Sequence, residues 1–166
     1  MKSISSPIGD CTVLATDEGI CWVSTPGADR TNGLLWVKRH MYLEQVSDSQ
    51  DIPISLQCAT DELNRYFAGE HVSFSCPLDM HGTPFQIAVW KALLTIPYGE
   101  TRSYGELANT LGRPNASRAV GAANGANPIA IIVPCHRVIG SNGSLTGYGG
   151  GLAAKEWLLK LENVKL

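Results

Sequence analysis

β-Branched and aromatic residues fill two short runs near the amino terminus, Cys11-Thr12-Val13-Leu14-Ala15-Thr16 and Ile20-Cys21-Trp22-Val23-Ser24. Asp17-Glu18-Gly19 separates them, so the pattern predicts an antiparallel hairpin, entered through a turn at Ser6-Pro7-Ile8-Gly9-Asp10. A helix is expected over residues 34–46, where the pattern is mixed. From Ser55 to Phe67 the spacing becomes helical: Leu56, Ala59, Leu63 and Phe67 fall on one face, and Gly69 can cap the end. Val72-Ser73-Phe74 resembles a short strand, and Pro77 to Gly82 reads as the crossing to a second half.

Capping signals dominate the second half. Thr83-Pro84-Phe85-Gln86 combines a capping Thr, proline at the first helical position and Gln three residues after the cap. The helix it starts is expected to reach about Leu94, with Phe85, Val89 and Leu93 as its buried stripe. Ser103-Tyr104-Gly105-Glu106 repeats the capping box, and Leu107 and Leu111 define a short helix ended by Gly112. After a turn at Arg113-Pro114-Asn115, Ala116 to Asn124 forms a second short helix, and the pair makes a helix-turn-helix. That second helix carries small residues and one long cation, Arg118, which suits entry into a narrow groove; a major-groove reader would carry more hydrogen-bonding side chains. Close packing of a small helix in the core is the ordinary alternative. Ile129 to Val133, after Asn127-Pro128, fits a buried strand leading into Cys135. Ser141-Asn142-Gly143-Ser144 is a turn, and Gly147-Tyr148-Gly149-Gly150-Gly151 a loop open to close approach by a flat ligand. Leu152 to Glu162 is the last helix, packed through Leu158 and Leu161.

Composition narrows the class. Of 166 residues, 44% are hydrophobic and 17% charged, which fits a compact globular protein, and no run is apolar enough to span a membrane. The amino terminus has no apolar segment like a signal peptide, so a cytoplasmic protein with reduced thiols is expected. Cys11, Cys21, Cys58, Cys76 and Cys135 are odd in number and form no C-x-x-C pair, which argues against a disulfide framework or a zinc knuckle; no metal is expected. Charge is unevenly spread: residues 1–80 hold five Lys/Arg against eleven Asp/Glu, and residues 81–166 eight against four. A polyanion would therefore meet only the carboxy-terminal part.

The chemistry centres on Val133-Pro134-Cys135-His136-Arg137-Val138. A free thiol has a pKa of about 8.5 and needs a base or a positive field to become a useful thiolate. Neighbours in an extended strand point to opposite faces, but the proline bends the chain there and could let Cys135 and His136 converge. Buried, unreactive packing is the ordinary fate of a cysteine.

Pro134-Cys135-His136-Arg137-Val138 resembles the active-site signature of the O6-alkylguanine-DNA alkyltransferases, and the similarity runs from Gly82-Thr83-Pro84-Phe85-Gln86 to Lys155-Glu156-Trp157-Leu158-Leu159. The resemblance implies an α+β protein: a small ribonuclease H-like α/β domain over residues 1–79, and a mainly helical, winged-helix-like domain over residues 80–166 that binds DNA and carries the active-site cysteine. It implies DNA repair by direct reversal, in which Cys135 irreversibly accepts the alkyl group of O6-alkylguanine, and of O4-alkylthymine if the pocket admits it, after the nucleotide is flipped. His136 would act through a water as base, and Glu162 would hold and polarise it. Asn127 would stabilise the turn around the site, and Tyr104 would crowd the flipped nucleotide's phosphate and donate a proton to the guanine ring. Arg118 would enter the base stack from a helix in the minor groove. Val138, Tyr148 and Gly149 would line the base pocket. No cofactor is implied, so each molecule would act once, as a monomer on double-stranded DNA, with no obligate protein partner and no membrane. Three rivals are weighed: a promoter-binding regulator with a sensing thiol; a damage-binding relative without transferase activity, which would lack the cysteine that is present here; and a cysteine hydrolase, in which the helix-turn-helix and Arg118 would have no purpose.

Overall fold

The computed structural model describes residues 1–41 and 53–165. They form two compact units, Met1–His81 and Gly82–Leu166.

The first unit is built on the expected hairpin. β2 (Cys11–Ala15) and β3 (Ile20–Val23) pair antiparallel, and β1 (Lys2–Ile4), which the sequence pattern did not reveal, pairs antiparallel with β2 to give the order β1-β2-β3. Helix α1 (Thr31–Met41) lays Val37 and Trp36 against Leu14, Cys21 and Trp22. Gly33 sits inside this helix because a Cβ there would lie 2.8 Å from the Trp22 indole nitrogen and 3.1 Å from Leu14 Cδ1. The rest of the helix expected to residue 46 lies outside the described residues. Helix α2 (Ile54–Phe67) buries Leu56, Ala59, Leu63 and Phe67, as its spacing predicts, and packs on all three strands.

Val72-Ser73-Phe74 is not a strand. The buried carboxylate of Glu62 holds the segment that follows, accepting from Ser75 N at 2.9 Å and Ser75 Oγ at 2.6 Å. A side chain thus supplies partners that a sheet ladder would otherwise give. The sheet is extended instead by the next residues: Ile20 N donates to Pro77 O at 2.8 Å and Asp79 N to Ile20 O at 2.9 Å.

In the second unit both predicted capping boxes are present, Thr83 with Gln86 at the start of α3 (Pro84–Leu93) and Ser103 with Glu106 at the start of α4 (Tyr104–Thr110). Trp90 of α3 is buried and donates through Nε1 to Ala123 O at 2.8 Å, which ties α3 to α5 (Ser117–Gly125). Phe85, expected in the core, is half-buried at the start of α3, and the Arg113 guanidinium lies 5.4 Å from its ring centre. Helices α4 and α5 pack together across the turn that Gly112 begins, with φ of 66°.

Two further expectations are corrected, and one pairing that the sequence did not reveal is added. Ile129 to Val133 is a buried turn rather than a strand, closed by Val133 N donating to Ile129 O at 3.0 Å. A two-residue strand, β4 (Arg102–Ser103), pairs in parallel with β5 (Val138–Ile139), too short for any sequence period to announce. The last helix, α6 (Gly151–Leu161), buries Leu158 and Leu159, while Leu161 is only half-buried because the helix ends one residue later at the cap, Glu162.

Candidate active site around Cys135

Cys135 opens a single 3-10 turn, Cys135–Arg137, directly after the buried turn of residues 129–133. Asn127 builds that turn: its Oδ1 accepts from Ile129 N at 3.0 Å, and its Nδ2 donates to Val133 O at 2.9 Å. Ile131 at the apex has φ of 72°, a conformation that costs a β-branched residue energy and persists only where the surroundings enforce it. Burial of Ile129, Ile131 and Ile132, together with the Asn127 amide, provides that enforcement. The expected role of proline in bending the chain is thus shared with Asn127, at a site built from a turn on either side of Pro134.

His136 and Glu162 come together at full burial, 26 residues apart. His136 Nε2 lies 2.7 Å from Glu162 Oε1, so this nitrogen carries the proton and Nδ1 is left as the basic one. Arg137 also turns to Glu162, donating from Nε to Oε2 at 2.8 Å and from Nη2 to Oε1 at 3.0 Å, and its Nη1 donates to Ile96 O at 2.7 Å. Gly99 N adds a longer bond of 3.3 Å to Oε2. Burial alone would raise the Glu162 pKa; the bonds and charges of His136 and Arg137 overcome it and hold the carboxyl well below the usual carboxylate range. Burial lowers the His136 pKa against the pull of Glu162, so the ring is neutral at pH 7.

Burial also pushes the Cys135 thiol up. Opposing it are the Asn127 amide, the charge of Lys155 and the backbone N–H groups of Cys135 and His136. Lys155 is itself buried, with Nζ donating to the carbonyl of Val138 and to Thr146 O at 2.7 Å, and burial brings its pKa down from 10.5 to about 8. The positive charge near the thiol therefore comes from α6, and that of neighbouring Arg137 is committed to Glu162.

The remaining candidates lie at different depths. Tyr104 stands at the first turn of α4, its hydroxyl donating to Thr146 O at 3.3 Å and accepting from Thr146 Oγ1 at 3.4 Å. A Cβ on Gly121 of α5 would lie 3.6 Å from the Tyr104 ring. Val138 is buried in β5, Tyr148 is half-buried in the loop, and Gly149 is exposed. Arg118 is exposed on the first turn of α5. Sequence reasoning missed Arg137 as a partner of Glu162, and it missed Lys155 and Asn124, whose Nδ2 donates to Cys135 O at 3.3 Å. A charged residue among the apolar positions of the last helix was the one available signal, and it pointed to Lys155.

Among the described residues no helix is long and apolar enough to cross a membrane. Residues 1–80 match the family model of the 6-O-methylguanine DNA methyltransferase ribonuclease-like domain, and residues 84–164 that of the 6-O-methylguanine DNA methyltransferase DNA binding domain. A methylated-DNA--protein-cysteine methyltransferase of Methanosarcina acetivorans is 48% identical over 159 residues, covering 95% of this chain and 94% of its own. One of Mycobacterium bovis is 66% identical over 110 residues, 66% of this chain and 67% of its own. The crystal structure of Mycobacterium tuberculosis OGT in complex with DNA shares 51% identity and superposes with a TM-score of 0.77, over 96% of this chain and 90% of the other. That of the Pyrococcus kodakaraensis O6-methylguanine-DNA methyltransferase shares 25% identity, with a TM-score of 0.71 over 98% of both chains. With both of its domains matched and near-full-length relatives at this identity, the chain belongs to the 6-O-methylguanine DNA methyltransferase family.

Proposed function

We infer that this protein repairs alkylated DNA by moving the alkyl group from the O6 atom of guanine to Cys135, once per molecule. The observation that carries the reading is the buried His136–Glu162 pair at 2.7 Å directly after a buried cysteine, in a chain of this family. His136 takes the thiol proton through a water, Glu162 stabilises the imidazolium that forms, and Arg137 keeps Glu162 ionised. The thiolate sulfur then bonds to the alkyl carbon as the carbon–O6 bond breaks, and guanine leaves with the electron pair and takes up a proton, supplied in this reading by Tyr104. Asn127 fixes the turn that presents Cys135. Val138, Tyr148 and Gly149 line the base pocket.

DNA is held by the unit that contains α5. Arg118, exposed at the start of a small-residue helix, fills the gap left by the flipped nucleotide from the minor groove, and the flip is needed because a nucleophile cannot reach O6 inside the duplex. Residues 80–166 do this work and residues 1–79 support it. The proposal takes the protein as a cytoplasmic monomer on double-stranded DNA, with no cofactor and no obligate protein partner.

Intact-mass measurement after incubation with duplex DNA carrying one O6-methylguanine tests the reading. One added methyl group per protein, mapped to Cys135 and absent from Cys135→Ser, is the expected result. DNA binding with no mass change would remove transfer from the account.

A further inference from the structure

Three asparagines in this chain precede a glycine: Asn32, Asn124 and Asn142. That pairing holds a latent covalent reaction. The backbone nitrogen after an asparagine can attack its side-chain carbonyl carbon, and glycine has no Cβ to stand in the way. The fold treats the three pairs differently. Asn32 and Gly33 lie in the first turn of α1, with Gly33 buried against Trp22. Asn124 is buried in α5, where its Nδ2 donates to Cys135 O at 3.3 Å. In both helices the backbone bonding fixes the ψ angle that would have to turn for the nitrogen to reach the carbon.

Asn142 lies in neither helix nor strand. With Gly143 it forms the exposed tip of a turn that Gly140 N closes by donating to Ser144 O at 2.8 Å. Gly143 has φ of 79°, which suits a residue without a side chain. Ser144 aims two donors at the Asn142 amide, its N at 3.1 Å and its Oγ at 2.7 Å, and both reach Oδ1. They draw electrons from the carbonyl carbon and stand where negative charge gathers when a nucleophile adds to it, as the donors of an oxyanion hole do. One bond opposes the attack, since Gly143 N donates to Gly140 O at 3.0 Å. Gly143 is exposed, so water can replace that partner at small net cost.

We propose that Asn142 is a site of spontaneous covalent modification, deamidation to aspartate and isoaspartate, with Ser144 assisting. Gly143 N gives its proton to solvent base and bonds to Asn142 Cγ. The bond from Cγ to Nδ2 then breaks, and the nitrogen takes a proton from water and leaves as ammonia. Water opens the resulting succinimide ring at one carbonyl or the other: breaking the new bond at Cγ gives aspartate, and breaking the original peptide bond gives isoaspartate. The balance is one water in and one ammonia out, with one negative charge gained. The succinimide has no N–H for Gly140 O, and isoaspartate adds a backbone carbon, so the reaction loosens the turn between β5 and the loop of Tyr148. The site is independent of the alkyl-transfer reading.

Trypsin separates the three pairs, because residues 31–38, 119–137 and 138–155 fall in different peptides and Asn142 is the only amide side chain in the last. After ageing of the whole folded protein in mildly alkaline buffer, the peptide of residues 138–155 should gain the mass of OH in place of NH2. It should resolve into two products, one of which is methylated by an isoaspartyl methyltransferase. The gain should be slower in mildly acidic buffer, where less of the nitrogen is deprotonated, and the peptides of Asn32 and Asn124 should stay unchanged. Ser144→Ala removes the shorter of the two bonds to Oδ1 and should slow the reaction about two- to tenfold. An unchanged peptide of residues 138–155, or a gain that appears first in either of the other two, would overturn the proposal. A wild-type rate in Ser144→Ala would overturn the assisting role.

Discussion

Replacing Glu162 with Gln should separate what this carboxylate does for the fold from what it does for the thiol. Glu162 is 1% exposed and faces His136 and two nitrogens of Arg137, so the substitution leaves a buried guanidinium without its counter-charge. Breaking a buried ion pair from one side typically costs about 3–5 kcal/mol. Arg137 keeps Ile96 O at 2.7 Å and the Tyr98 ring at 5.8 Å, which places the expected loss near the lower end, about 3 kcal/mol. For a chain of this size that lowers Tm by roughly 6–12 °C. If the cost comes mainly from the orphaned cation, adding Arg137→Met should restore at least about half of it, because both charges then leave together. Transfer should stay slow in the double variant, since His136 still lacks the carboxylate that steadies its charged form. Urea unfolding and single-turnover transfer, measured on wild type, both single variants and the double variant, give the cycle. Stability losses that simply add in the double variant would refute the ion-pair argument, and a wild-type rate in Glu162→Gln would refute the relay.

Arg118→Ala should slow transfer from duplex DNA far more than from free O6-benzylguanine, which needs no flipping; single-turnover rates on both decide it, and equal slowing would defeat the assignment. Gly33→Ala should destabilise by about 1–3 kcal/mol in urea unfolding despite Ala's helix preference of about 1 kcal/mol, because the new Cβ meets Trp22 Nε1 at 2.8 Å; a gain in stability would show that Trp22 can move aside. Stability should fall in acid, from about pH 5 downward, because there the unfolded chain binds a proton at Glu162 that the folded chain, with its pKa depressed, does not. Urea midpoints at pH 6 and pH 3 should therefore differ more for wild type than for Glu162→Gln, and parallel losses would count against the pairing.

The elements that could be read from the sequence are those whose signal is local. Two capping boxes are four-residue patterns, the α2 stripe repeats within one helix, and the hairpin needs only two strands and a turn. What could not be read depends on distant partners. Glu62 replaces a ladder at Ser75 from 13 residues away, and β4 with β5 joins segments 36 residues apart in register. At Ile129 to Val133 the β-branched run argued for a strand, but Asn127 offers the backbone a closed turn, and a side-chain amide competing locally outweighs propensity. Cys135, His136 and Glu162 were named from the family resemblance, whereas the pairing of Arg137 with Glu162 was missed, because a position beside His136 says nothing of where the guanidinium points.

The resting site holds an unreactive pair. Burial raises the Cys135 thiol and lowers His136, so at neutral pH the two are thiol and imidazole. An exposed, permanently ionised thiolate would be consumed by oxidants and stray electrophiles, a serious loss for a protein that acts once. In the proposed mechanism the charge forms only when a proton leaves the thiol, and the groups that would lower its cost are already in place. Glu162 is ionised and 2.7 Å from the ring that will become positive. The Asn127 amide, Lys155 and two backbone N–H groups face the sulfur that will become negative. Lys155, with its pKa near 8, is still mostly charged at pH 7, and its bonds to the Val138 and Thr146 carbonyls keep it from turning away. Preorganised dipoles and charges of this kind favour the ionised pair without any reorganisation at the moment of reaction. On the proposed mechanism reactivity is produced when a base enters and the proton moves, and the same burial that suppresses the thiol in the free protein strengthens the field that releases it.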